Sequence, residues 1–236
     1  MLLIGKGAFM KNEQDARKLA NQMIEIGKLA GRETVCVLTD MNEPLGYAVG
    51  NILEVIEAVR ILKGEVIYDV EEVVLELGSY MLQLAGKGEN VDINKERLKE
   101  NLRNGKAYHK FLELVKNQGG DVSYLEDLEK FQKANVIEPV YSEHTGYICE
   151  IDAKKVGELA CHLGAGRIQK EDIIDTKVGI VLAKKVTNSV KKGAVLGYIH
   201  AKDKESASYA KQKLMDIIKV GEELVQEVSK ILGVIR

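Results

Sequence analysis

The chain has 236 residues, 45% hydrophobic and 30% charged, with a formal net charge of -2. That length suffices for one large domain or two modest ones with a real core, and the balance argues against a disordered chain or a strongly basic nucleic-acid binder. Three cysteines far apart (Cys36, Cys149, Cys161) give neither a disulfide framework nor a C-x-x-C zinc site; they point to a reducing, cytoplasmic compartment, and no run approaches the roughly 18–20 apolar residues of a membrane span.

The opening "MLLIGKGAF" loses its apolar character after four residues and lacks a small-residue cleavage site, so these residues are not expected to act as a signal peptide. "LLIGKGAF" reads instead as a buried strand entering a glycine turn, and the expectation is that further sequence precedes it. From 12 to 30, Ala16, Leu19, Ala20, Met23 and Ile24 form a stripe of helical period that ends at Gly31. "ETVCVLTD" (33–40) has strand length and β-branched character, and helical period returns from Val49 at Ile52, Leu53, Ile56 and Val59 until Lys63-Gly64. Strand, loop and helix form the unit of a parallel α/β sheet.

Residues 69–86, 94–104 and 107–116 read as three more helices, and "NQGGD" breaks the run at 117–121. The charged, weakly periodic stretch 121–135 is expected to be a linker between a partial α/β domain (1–120) and a β-rich domain (136–236). In the latter, "NVIEPVYS", "TGYICEID", "GIVLAKKV" and "AVLGYIHA" read as strands of a small, mainly antiparallel unit, with a short helix in "KKVGELACHLGAG". Its "SVKKGAVLGYIHA" resembles part of a lipoyl or biotinyl-type hammerhead, although no lysine sits on a hairpin tip of the kind a carrier presents. Two terminal helices are expected, at 204–219 and 222–232. The fold class is α/β, α+β overall.

Chemistry-bearing signals are sparse. Gly5, Lys6 and Gly7 form either a plain tight turn or a turn that offers amides to phosphate. The histidines, His109, His144, His162 and His200, fall on different elements without ligand spacing. "TDMNEPLGYAVGN" (39–51) says more: its turn at Pro44-Leu45-Gly46 leaves main-chain carbonyls available, and Glu54 and Glu57 follow three residues apart on one helix. Carbonyls plus a carboxylate make a hard-cation site, while the spacing alone equally permits a solvated helix face.

In order along the chain, "GKGAFMK", "TDMNEPLGYAVGNILEVIEAV", "LGSYM", "NQGGD", "GYICEID", "LGAGR" and "VGIVLAKKV...VKKGAVL" resemble the later half of pyrimidine nucleoside phosphorylases and thymidine phosphorylases. The resemblance implies a small helical domain, a large α/β domain and a C-terminal β-containing portion, with nucleoside and phosphate held between the first two. It implies phosphorolysis of uridine or thymidine to free base and a (deoxy)ribose 1-phosphate. It also implies that Phe9 lines the base pocket and that Leu45, Ala48 and Glu57 hold a monovalent cation, potassium or sodium.

The family's phosphate cradle, K-H-S-T-G-G-x-G-D, and its base-holding arginine, serine and lysine match nothing in 1–236. Each lost transition-state donor is worth on the order of 3 kcal/mol, so the chain alone is expected to be inactive and to take nucleoside and phosphate only with a complementing N-terminal half. A homo-oligomer is the other expected partner, because a sheet without its earlier strands exposes an edge. The alternative is a non-catalytic binding or assembly module that kept the scaffold; a carrier protein is a more distant third.

Overall fold

The computed structural model describes residues 1–88 and 90–236. The first unit is β1 (Leu2–Ile4), α1 (Glu13–Leu29) and β2 (Cys36–Asp40). Asn12 starts α1 by accepting the Asp15 amide on its side chain, and Glu13 and Asp15 lie at the positive end of the helix dipole. The predicted stripe does its work on one side only, where Ala16, Ala20 and Ile24 pack on Ile4, Cys36 and Leu38. β1 and β2 are parallel, with Leu2 opposite Leu38 and Ile4 opposite Asp40.

β3 (Ala48–Val49) and α2 (Asn51–Leu62) follow, then α3 (Tyr68–Leu84), α4 (Val91–Arg103) and α5 (Lys106–Asn117). The linker predicted as irregular contains a single helical turn, α6 (Ser123–Glu126), and a 3-10 turn at Leu128–Lys130. Next come β4 (Val136–Tyr141), β5 (Gly146–Ile151), α7 (Ala153–Leu163), β6 (Gly179–Leu182), β7 (Ser189–Val190), β8 (Val195–Ala201), α8 (Lys204–Ile217), β9 (Ile218–Gly221) and β10 (Ile231–Ile235). The mixed α/β class expected from the sequence is the one observed.

Three sheets organise these elements, in the orders β1-β2-β10, β3-β6-β8-β4 and β7-β5-β9. The second and third are antiparallel throughout. Their strands share a core with α7 and α8 in which Ile148, Ile151, Ile180, Ile199 and Leu214 are at most 1% exposed. Each such side chain contributes about 1.5–3 kcal/mol relative to leaving it in water. β3 joins the polar loop to this second sheet by pairing with β6. Contact there is close: Gly50 has φ +147°, and a Cβ on it would strike the Val178 carbonyl.

One expectation fails outright. The second terminal helix, predicted at 222–232, does not form: β9 ends at Gly221, 222–230 has no regular structure, and 231–235 is a strand. Leu224 and Val228, which would have lined the helix, are 61% and 57% exposed. Without a surface to bury its stripe a short helix has little to sustain it. The β-branched residues Ile231, Val234 and Ile235 instead pair antiparallel with the free side of β2, with an irregularity near Gly233. The three-stranded sheet is thus mixed rather than parallel.

Candidate functional site

In open α/β sheets ligands gather at the carboxyl ends of the strands. Here those ends are the turn after β1 and the loop after β2. The turn keeps its amides to itself: Gly5 N–H donates to the Met10 carbonyl (3.0 Å), Gly7 N–H to the Met41 carbonyl (3.0 Å) and Ala8 N–H to the Gly5 carbonyl (3.1 Å). Lys6 N–H donates to Asn42 Oδ1 at 3.2 Å. Of the two readings of Gly5-Lys6-Gly7, the structure favours the plain turn. The Lys6 ammonium reaches Glu150 Oε1 of β5 at 2.6 Å, and that bond holds its pKa above the ordinary lysine value. Phe9, the residue matched to a base-pocket phenylalanine, is 91% exposed and lines neither cleft described below.

The loop is fixed from three sides. Asp69, at the start of α3, accepts the Gly46 amide on Oδ2 at 3.1 Å. Glu57 of α2 accepts both the Tyr47 and Ala48 amides on Oε1, at 2.9 and 3.1 Å. Lys185, between β6 and β7, donates its ammonium to the carbonyls of Pro44 and Gly46, the latter at 3.0 Å. Gly46 has φ +70° and lies against Glu57 Oε2, so no side chain fits there. The sequence placed Glu54 and Glu57 on one face, but their roles divide: Glu54 Oε1 accepts the Gly50 amide at the start of α2, and only Glu57 reaches the turn.

Beneath the loop lies a buried ionic network. Lys185 meets Asp69 Oδ2 at 2.9 Å and Glu43 Oε2 at 3.6 Å; Lys230 meets Glu43 Oε1 at 2.8 Å and Asp40 Oδ2 at 3.4 Å. Both ammonium groups are buried, at 9% and 7% residue exposure. Burial pushes the Lys230 pKa down, but hydrogen bonds and charge from Glu43 and Asp40 outweigh it and hold the value above the ordinary one. Glu72 of α3 accepts the Lys230 amide at 3.1 Å and the Ser229 hydroxyl at 2.6 Å. These groups border a cleft of about 690 Å³ between the two halves of the chain, which Tyr68, Glu150 and Thr187 also line.

A second, more apolar groove of about 490 Å³ runs between α2 and the β3-β6-β8-β4 sheet, lined by Ile52, Phe131, Tyr198 and His200 and reaching Glu57. Burial raises the Glu57 carboxyl above the usual carboxylate range, and the Tyr47 and Ala48 amides offset this only in part. Burial likewise pushes His200 below the ordinary imidazole value. Among the described residues Glu57 makes no ion pair within 4 Å. Leu45 and Ala48 thus flank the turn that the half-buried Glu57 carboxylate grips through the Tyr47 and Ala48 amides, and the donors offered there, main-chain carbonyls and one carboxylate, are all oxygen. That donor set suits a hard cation.

Sequence reasoning singled out Glu57 and the loop but missed Asp69, Lys185 and Lys230. Nothing local marks Lys185 apart from its neighbour Lys184; its carbonyl partner Gly46 is 139 positions away.

An α/β domain with an acid-rich loop at the carboxyl ends of its strands, followed by a β-rich unit, defines a class that the family comparisons also report. Residues 2–108 match the glycosyl transferase family a/b domain and residues 147–221 the pyrimidine nucleoside phosphorylase C-terminal domain. Among relatives, the chain is 45% identical over 219 residues to the pyrimidine-nucleoside phosphorylase of Bacillus subtilis, an alignment covering 93% of this chain and 50% of that protein. It is 43% identical over 222 residues to that of Geobacillus stearothermophilus (94% and 51%) and 44% identical over 201 residues to that of Staphylococcus epidermidis (85% and 46%). The chain resembles the C-terminal portion of pyrimidine-nucleoside phosphorylases and spans about half the length of these curated relatives.

Proposed function

We propose that the chain is the C-terminal part of a pyrimidine nucleoside phosphorylase acting in cytoplasmic nucleoside salvage. Its parent reaction is phosphate-dependent cleavage of uridine or thymidine to free base and (deoxy)ribose 1-phosphate. The observation that carries this reading is the consecutive match of the α/β and C-terminal family domains around a loop fixed by Glu57, Asp69 and Lys185.

In this reading the loop is a rigid support at the carboxyl ends of the strands. Leu45 and Ala48, through their carbonyls, and Glu57, through its carboxylate, are the residues that would hold a potassium or sodium ion; such an ion supplies fixed positive charge beside a phosphate site. Glu57 and Asp69 fix the amides of Gly46, Tyr47 and Ala48, and so fix the chain that bears those carbonyls. Phe9, exposed after β1, is in this reading the residue that would contact a base brought by another segment. The inward-turned amides of Gly5 to Ala8 supply no phosphate cradle, which supports inactivity of the chain alone.

The test is phosphorolysis of uridine and thymidine by the purified chain, alone and co-expressed with the N-terminal half of the Bacillus subtilis relative. The expected result is no turnover alone and phosphate-dependent base release by the pair. Ordinary turnover by the chain alone overturns the inactivity claim. A folded, co-purifying pair without activity favours a non-catalytic assembly module instead.

A further inference from the structure

On the underside of the loop a lysine from the β-rich unit reaches across to the α/β unit. An ammonium has three donors, and Lys185 engages three acceptors: the Pro44 carbonyl, the Gly46 carbonyl at 3.0 Å and Asp69 Oδ2 at 2.9 Å. Two main-chain carbonyls and a carboxylate are what a small cation would receive, so Lys185 supplies a covalently tethered positive charge to one side of the turn. The other side belongs to Glu57, whose Oε1 takes the Tyr47 and Ala48 amides. The Leu182 amide donates to the Tyr47 carbonyl (2.8 Å), which makes the next pair, Ala48 opposite Val181, a non-hydrogen-bonded one whose amide and carbonyl point away from β6; the Ala48 amide meets Glu57 on that side.

Lys185 is itself held by its own turn. Its amide donates to Asn188 Oδ1 (2.9 Å), its carbonyl accepts the Asn188 amide (3.1 Å), and Thr187, at φ +76°, donates its amide to the Ile148 carbonyl (2.8 Å). Val186 N–H donates to Glu43 Oε2 at 3.2 Å, tying that turn to the loop a second time.

We propose that Lys185 is a positioning residue: by drawing the Pro44 and Gly46 carbonyls to itself, it turns the Leu45 and Ala48 carbonyls toward Glu57 and presets the loop for a monovalent cation. This rests on the cation site proposed above and adds to it a dependence on the β-rich unit, which supplies the lysine. A rigid preset lowers the ordering cost of binding, and the coupling between Lys185 and the ion should lie in the usual range of roughly 5- to 150-fold in affinity.

The test compares the parent chain with Lys185→Met, Lys185→Arg, Glu57→Gln and the control Lys184→Met. One readout is the melting temperature across a potassium chloride titration, against choline chloride at matched ionic strength. The other is amide exchange at Gly46, Tyr47 and Ala48. The parent and K184M should show a saturable potassium-specific rise that E57Q lacks; K185M should need at least about fivefold more potassium, K185R less than that, and K185M should exchange the three amides faster. Undiminished potassium response with slow exchange in K185M overturns the role of Lys185. Absence of any potassium-specific rise in the parent overturns the cation reading and the presetting with it, whereas faster exchange in K185M would still show that the lysine holds the loop. Should K185M fail to fold, K185R with the parent's potassium affinity and amide exchange supports positioning, and K185R without the potassium response but with parental exchange counts against it.

Discussion

The two halves of the molecule hold themselves together by different means. The β-rich half has a continuous apolar core in which strands from two antiparallel sheets and two helices share fully buried Ile, Leu and Val. The α/β half has a thin sheet with one small cluster beneath α1, and its loop stands on a buried network of acids and lysines. An apolar core is tolerant of substitution when volume is kept, whereas a buried ionic network is intolerant of losing any one member. The edge that carries the loop is thus fixed by charge supplied from afar, Lys185 from the β-rich unit and Lys230 from the tail, rather than by its own apolar packing.

Breaking that arrangement should have the largest effect where a charge is orphaned. Lys230→Met leaves Asp40 buried without an ammonium and Glu43 with only the longer contact to Lys185, and should cost about 3–5 kcal/mol in urea unfolding; a cost near zero would mean that water reaches the acids. Because the folded Lys230 pKa lies above its ordinary 10.5, its stabilisation is complete below that value and is lost as pH rises through the folded pKa. The parent should therefore lose more stability at alkaline pH than Lys230→Met does. Leu38→Ala, which empties the centre of β2, should cost about 2–5 kcal/mol. If it costs no more than an exposed substitution, the small cluster beneath α1 is not what carries that half.

Thr39 is 1% exposed, and its hydroxyl is the one buried side-chain polar atom without a partner among the described residues. Thr39→Val keeps the shape and removes the orphan, so thermal unfolding should show a gain of about 1 kcal/mol. In the β-rich half, His200 is kept below its ordinary 6.5 by burial. The sign follows: its contribution is intact above 6.5 and is lost as pH falls from there through the folded pKa, so His200→Gln should flatten that part of the acid profile. Thr187 is the one residue other than glycine with positive φ among the described residues. Thr187→Gly should therefore be neutral to stabilising by about 0.5 kcal/mol, since relief of strain exceeds the added freedom of the unfolded chain only slightly.

Much of the fold is legible locally. The alanine-rich stripe and Gly31 mark out α1 because periodicity and helix-ending glycines are properties of neighbouring residues. The loop at 39–51 stands out because a proline and glycines among acids between two apolar runs have few uses. The tail misleads because Leu224, Val225 and Val228 carry a helical period that only a packing surface could reward, while the opening beside β2 that captures Ile231 to Ile235 is created by residues far upstream. The lysines are illegible for the same reason: nothing near Lys185 or Lys230 announces a buried ammonium, and the carboxylates that make burial tolerable come from other elements.

The antiparallel return of β10 has a practical outcome. Since Ile235 sits opposite Cys36, the final residue emerges at the end of β2 remote from the loop, about 13 Å away for a strand of that length. A fluorophore or affinity handle attached after Arg236 would report on this sheet without crowding the carboxyl edge of its strands.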